Sequence, residues 1–342
     1  MYTVGVIGLG SIAAMYETPA SKLPYCHVGG ILQSGNVHLV KVADMADIAR
    51  DKFREVWGPA FPDVRYYNDG ASMLAAGDLD IVAVCVRGPH HYNVMLEVLD
   101  AKPKAVFLEK PPTCSLQEMD QMMQLATKHE IPITVSYSRH WATHILRFQQ
   151  LVREGLIGEV KTVIGYCGGE ILSYASHTTD LICQFAGYEP VSVYARGPVP
   201  GSDAIPAGYE PEPRLDNMVI HFANGVTGIQ VGSSGEYGQF YCDVFGTKGS
   251  LRIGMYIPTV LKNAKGEVQD LVSYEVPEPA SVFRVAYDQI AAHLDGGPLP
   301  DCSNENFVIV NEVGFAAIES LHSGKTVALP NSSRARKVFA NA

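Results

Sequence analysis

No two cysteines of this chain stand in a CxxC spacing, although it holds 7 of them. That absence argues against a disulfide framework and against a structural zinc site. The cysteines read instead as small buried hydrophobes of a reducing compartment. No uncharged apolar run is long enough to span a bilayer. Positive charge is scarce: 26 Lys and Arg stand against 36 Asp and Glu, a net charge of −10. This disfavours nucleic acid as the main partner and gives no pull toward an anionic membrane. Internal repeats and low-complexity stretches are missing too. Tyr2-Thr3-Val4-Gly5 runs directly into a strand pattern, so no signal peptide is expected and a cytoplasmic location is. What remains is an ordinary globular composition, 47% hydrophobic over 342 residues, which suits two domains better than one.

The first third alternates short apolar runs with helical patterns. Strands are expected at Val4–Ile7, Leu39–Ala43, Ile81–Val86, Ala105–Leu108 and Ile131–Val135, with helices at Met45–Trp57 and Tyr92–Ala101 between them. Runs without alternating polar residues fit strands buried on both faces of a parallel sheet. Ser115-Leu116-Gln117-Glu118 matches a capping box for a helix running to His129. The character changes after about Ser136. A helix at His144–Glu154 and a strand at Val160–Cys167 come first. Asn224-Gly225 then joins Met218–Ala223 to Val226–Val231 as a hairpin. Thr247-Lys248-Gly249 separates Tyr241–Phe245 from Ser250–Ile253, and Asn263–Gly266 reads as a further turn. Gly197–Pro213 reads as an irregular loop. Helices at Val282–Leu294 and Asn306–His322 close the chain, and the basic tail Arg334-Ala335-Arg336-Lys337 reads as a solvated end. The expectation is α/β: a parallel sheet domain over residues 1–135, then an α+β domain over 136–342 with an open, mostly antiparallel sheet.

Gly8-Leu9-Gly10-Ser11-Ile12-Ala13 lies where the first strand gives way to a helix. The first glycine permits the tight turn, the second lets backbone approach a pyrophosphate, and Ala13 lets helix and strand pack closely. The bland alternative is a tight turn with no ligand. At the end of the next strand Asp44 can accept hydrogen bonds from ribose hydroxyls and would repel a 2′-phosphate, so NAD is favoured over NADP. Asp44 can also serve as a helix N-cap. Its distance from Ala13 exceeds the usual ~20 residues. An insertion around Glu17–Gly29, broken by Pro19 and Pro24, accounts for this. It carries Tyr25 and His27 and reads most simply as a surface loop. Arg87 and His91 follow the strand at Ile81–Val86, on a loop that would line the ligand crevice.

Glu109-Lys110-Pro111 ends the buried strand Ala105–Leu108. A lysine there suits acid/base work more than a surface charge does, because desolvation or a neighbouring cation brings its pKa toward neutrality. His177 begins near that range. Asp180 lies one turn later, as an orienting group, a substrate ligand or a first-turn acid. Arg139 and His140 follow the last strand of the first domain and are candidates for a substrate carboxylate or phosphate. Tyr166, Tyr174 and Tyr237 are candidate stacking residues and, more simply, packing aromatics.

In order and spacing these motifs resemble the Gfo/Idh/MocA oxidoreductases, relatives of glucose-fructose oxidoreductase and inositol dehydrogenase. The resemblance runs from the glycine turn through Glu109-Lys110-Pro111, Ser138-Arg139-His140, Gly155-Leu156-Ile157-Gly158 and His177-x-x-Asp180. It continues in Phe245-Gly246-Thr247-Lys248-Gly249-Ser250 and Gly324-Lys325-Thr326-Val327. It implies a Rossmann domain binding through Gly8, Gly10, Ser11, Ile12, Ala13, Asp44, Arg87, His91, Glu109 and Lys110. It also implies oxidation of a sugar, sugar-acid or inositol-like hydroxyl with Lys110 and His177 as the catalytic pair. Arg139, His140 and Asp180 would meet the substrate, no metal is involved, and homodimers or homotetramers are expected. Some relatives instead cleave glycosidic bonds by transient oxidation, with no net redox change. A non-catalytic NAD-binding sensor is the remaining alternative. One position departs: the family usually carries an acid four residues before the histidine, where this chain has Ser173, with Glu170 as a possible substitute.

Overall fold

The computed structural model describes residues 1–201, 205–232, 240–300 and 302–341. Its chain divides into two compact units. The first comprises Met1–Thr113, Glu118–Trp141 and Pro279–Asn304; the second comprises Cys114–Gln117, Ala142–Glu278 and Glu305–Ala342. No helix among the described residues is long and apolar enough to cross a membrane.

The first unit is built on six strands: β1 (Tyr2–Ile7), β2 (Val37–Ala43), β3 (Arg65–Tyr67), β4 (Ile81–Val84), β5 (Ala105–Leu108) and β6 (Ile133–Val135). They lie parallel in the order β3-β2-β1-β4-β5-β6. Every residue of β4, β5 and β6 is buried, which is why these runs carry no polar alternation. The order reverses direction at β1 and β4, and ligands of such sheets sit at the carboxyl ends of the strands flanking that switch. Helices α1 (His27–Gln33), α2 (Asp47–Trp57), α3 (Gly70–Ala75), α4 (Gly88–Ala101) and α5 (Leu116–Lys128) fill the connections. The short β3, α1 and α3 have no counterpart in the sequence reading, because three to seven residues give too little periodicity to detect.

The stretch read as a surface loop is in part a buried helix. A single wide helical turn at Ser11–Met15 follows the glycine turn, and α1 starts at His27, where the Cys26 thiol accepts the Gly29 N–H. His27, Val28, Gly29, Gly30 and Ile31 are all buried. Gly30 has no room for a side chain, since a Cβ there would stand 2.5 Å from Cβ of Phe283. That contact draws the helix Val282–Leu294 against α1 inside the first unit.

The second unit centres on an eight-stranded mixed sheet. Its strand β7 (Val160–Tyr166) runs parallel to Thr227–Val231 and antiparallel to Tyr241–Gly246. The hairpin expected at Asn224-Gly225 pairs Asn217 with Val231 through His221 with Thr227. Pro190–Arg196 adds a strand that the sequence reading left out. Helix α6 (Thr143–Arg153) precedes the sheet, and α7 (Ser176–Ala186) is buried at every position. The basic tail is not a solvated end. Arg334 pairs with Glu312, and Arg336 pairs with Glu319 and Glu210. All seven cysteines are buried thiols.

Candidate active site

Gly8 closes β1 with φ at +90°, a conformation that costs glycine little. Its N–H donates to the Ala43 carbonyl at 2.8 Å, and a Cβ at this position would lie 2.8 Å from the Cys85 backbone. Both demands require glycine. At Gly10 the situation reverses: a Cβ would meet no protein atom within 4 Å. The glycine there leaves a clear space over the turn, as a pyrophosphate cradle needs. Ser11 is exposed, Ile12 half-buried and Ala13 fully buried, so Ala13 serves the close packing and Ser11 faces outward.

Asp44 ties this turn to the end of β2. One carboxylate oxygen accepts the Leu9 N–H and the other the Ala46 N–H, both at 2.8 Å. A carboxylate offers about four lone-pair sites, so two remain for ribose hydroxyls. Helix α2 starts later than expected, after Ala46, and Asp44 does not cap it. The nearby Arg50 guanidinium is engaged by the Asp44 carbonyl and the Asp47 carboxylate. Met45 and Ala46, the residues after Asp44, are exposed and uncharged.

Past β4, Arg87 is exposed at the start of α4. His91 is fully buried, with its ring nitrogens 2.7 Å from the carbonyls of Val86 and Pro111. Burial holds the His91 imidazole below its usual pKa, although those two carbonyls and the Glu109 charge work the other way. The ring thus ties the loop after β4 to the Glu109-Lys110-Pro111 segment.

Glu109 is 4% exposed at the end of β5, and Lys110 beside it is half-buried. Burial by itself would raise the Glu109 carboxyl. His27, through both its hydrogen bond and its charge, together with Lys110 and the Ser136 hydroxyl, outweighs burial and holds it below the ordinary carboxylate value. Glu109 is therefore an anion at neutral pH, one residue from the lysine. Ser138, Arg139 and His140 are all buried just after β6. An Arg139 Nη1–H donates to the Ser138 hydroxyl, which is also bonded to Tyr25 of the inserted segment.

The second unit presents His177 and Asp180 on α7, 5% and 1% exposed. The His177 ring meets Phe240 edge-on at 5.4 Å. Asp180 is the fifth residue of α7, outside its first turn, so a helix-dipole role does not apply. Gln230 fixes the start of this helix: its amide donates to the carbonyls of Cys167 and Ala175 while its oxygen accepts the Thr179 hydroxyl. Tyr166 stacks on Tyr241 and Tyr174 lies against Phe240, so both are packing aromatics; Tyr237 lies outside the described residues.

Glu212 was not visible in the sequence. It is buried, and it accepts the N–H groups of Leu172 and Ser173 at 2.6 and 2.7 Å and the Ser173 hydroxyl at 2.5 Å. Glu212 thus brings a buried carboxyl group against Ser173. Glu170, the substitute that the sequence suggests, pairs with Arg214 at 3.1 Å. Burial, helped by the nearby Glu170 charge, pushes the Glu212 carboxyl up to about 7 against those three hydrogen bonds. A carboxyl raised on folding stabilises the fold fully below its unfolded pKa and loses that contribution as pH rises through the folded value. Wild-type protein is therefore expected to lose roughly 2–3 kcal/mol between about pH 5 and about pH 8 from this group. Glu212→Gln, which keeps the acceptor and removes the titration, is expected to flatten that slope in urea unfolding across the same range. An unchanged slope would contradict the assignment.

Residues 2–137 match the model of an oxidoreductase family with an NAD-binding Rossmann fold, and residues 164–252 match the GFO/IDH/MocA C-terminal domain. The chain belongs to the Gfo/Idh/MocA oxidoreductase family. A myo-inositol 2-dehydrogenase from Thermotoga maritima is 23% identical over 351 residues, covering 95% of this chain and 98% of that protein. An oxidoreductase from Agrobacterium radiobacter, solved with NAD+, L-tartaric acid and magnesium, superposes with a TM-score of 0.75 at 18% identity, covering 96% of this chain and 98% of that one. The WlbA dehydrogenase from Bordetella pertussis, solved with NADH and UDP-GlcNAcA, gives a TM-score of 0.73 at 19% identity, covering 96% and 99%.

Proposed function

We propose that this Gfo/Idh/MocA protein is an NAD-dependent dehydrogenase acting on a secondary hydroxyl of a sugar, sugar acid or inositol-like polyol. The observation that carries the reading is Lys110, half-buried next to the buried anion Glu109, in the unit that also holds the Gly8–Ala13 turn and Asp44. Bound NAD supplies the hydride acceptor; the protein supplies orientation and handles the proton. Gly8 makes the tight turn, Gly10 leaves room for the pyrophosphate, and Asp44 takes the adenosine ribose hydroxyls. Lys110 holds the reacting oxygen and accepts its proton. His177 is the second proton-handling candidate, and Arg139, His140 and Asp180 are proposed to contact substrate hydroxyls or a carboxylate.

NAD is favoured over NADP because Asp44 repels a 2′-phosphate and the two cations nearest it in sequence are already engaged, Lys41 by the Ala76 and Gly77 carbonyls and Arg50 by the Asp44 carbonyl and the Asp47 carboxylate. The test is calorimetric titration with each cofactor, followed by a panel of sugars, sugar acids and inositols read by the absorbance of reduced nicotinamide. Tighter binding of NAD, with reduction on one polyol class, is the expected result. NAD binding with glycoside cleavage and no reduced cofactor, or with no turnover on any polyol, would overturn it.

A further inference from the structure

The inserted segment that delays the first helix brings His27 beneath the Glu109-Lys110 pair. His27 is fully buried, and its Nε2 lies 2.9 Å from Oε1 of Glu109. Its Nδ1 lies 2.9 Å from the hydroxyl of Tyr287, on the helix Val282–Leu294, and Tyr287 is likewise fully buried. An ionised carboxylate only accepts, so Nε2 carries a proton toward Glu109, while the Tyr287 hydroxyl, which can donate or accept, meets Nδ1. The second oxygen of Glu109 accepts the Lys110 backbone N–H at 3.3 Å. The imidazole is held in a box of rings, with Phe107 and Phe283 centroids each 4.6 Å away. Such packing leaves the ring one orientation.

We propose that His27 is a positioning residue of the hydride-transfer site, holding Glu109 as an oriented carboxylate and, through it, Lys110. The proposal rests on the reading of Lys110 as the proton-handling group. A buried carboxylate without a donor protonates or turns away. Here the donor comes from a segment whose sequence suggests only a loop. The groups whose charge Glu109 feels or whose titration it affects are His27, Lys110, His91, Cys85 and Tyr287, with Ser136 as a further donor. Of these, His27 has the side-chain hydrogen bond with the largest lowering effect on Glu109.

The test uses full-length protein with His27→Leu, His27→Gln and Tyr287→Phe. Glutamine can place an uncharged N–H donor near the position of Nε2; leucine cannot. The titration of Glu109 is followed by carbon-13 NMR of labelled glutamate, with and without NAD, and the pH profile of kcat is measured alongside. His27→Leu is expected to move the Glu109 titration, and the acid limb of kcat with it, upward by about one pH unit or more. The KM for NAD should stay within about threefold of wild type. His27→Gln should bring both profiles part of the way back to wild type, because it returns the N–H donor without the charge. Tyr287→Phe should shift them the same way by less, and serves as the test should His27→Leu not fold. A Glu109 titration that is the same in wild type, His27→Leu and Tyr287→Phe would overturn the proposal. So would a shifted titration with an unmoved acid limb of kcat. Because the NMR titration needs no turnover, a wild-type protein inactive on every polyol would bring down the dehydrogenase reading while still deciding whether His27 holds Glu109 ionised.

Discussion

Lys110→Ala is expected to lower kcat by roughly 10²–10⁴-fold, the usual worth of one positioned acid/base group, while the Kd for NAD changes by no more than about threefold. Lys110 ends β5, a strand buried at every residue, and sits between the Glu109 anion and Pro111. A surface lysine at this point would serve no packing purpose and its loss would go unnoticed. Lys110→Arg separates charge from proton transfer. Arginine keeps the cation and is not deprotonated in proteins, so a base role predicts that it is nearly as poor as alanine. If arginine restores most of kcat, Lys110 acts by polarising the oxygen. If alanine leaves kcat untouched, the catalytic assignment falls.

Asp44→Asn is expected to reverse or erase the preference for NAD, with the ratio of kcat/KM for NAD over that for NADP falling by roughly 100-fold. Two effects add. Hydrogen bonds from hydroxyls to a charged acceptor are worth about 1.5–3 kcal/mol, and amide replacement keeps only part of that. The repulsion of a 2′-phosphate disappears at the same time. The asparagine Oδ1 still accepts one of the two N–H groups, from Leu9 or Ala46, that Asp44 now holds, so the turn loses only part of its support. A thermal melt alongside the kinetics reads that loss. An unchanged cofactor ratio would mean that the adenosine ribose is recognised elsewhere.

The parts of the fold that were readable are those where burial imposes a pattern. Val4–Ile7, Ala105–Leu108 and Ile81–Val84 are buried on both faces and therefore stand out as unbroken apolar runs. The glycine turn and Asp44 were readable because turn geometry and strand ends restrict residue type. His27 and Glu212 were not. His27 owes its role to Tyr287, 260 positions away, and to Phe283 beside it. Glu212 sits between Pro211 and Pro213 in a stretch with every mark of an exposed loop, and its partners Leu172 and Ser173 lie 40 and 39 positions earlier. Local pattern reports what a residue's neighbours in sequence require. Buried polar pairs are decided by neighbours in space.

The central claim is that hydride passes between a polyol carbon and NAD on this protein. The most direct test incubates it with NAD and a panel of sugars and inositols carrying deuterium at their carbinol carbons. The reduced cofactor is then examined by mass spectrometry and NMR for deuterium at nicotinamide C4. Deuterium on one face of that carbon, from one class of polyol, is the predicted result. Reduced cofactor free of deuterium, or NAD that stays oxidised with every member of the panel, would contradict the account.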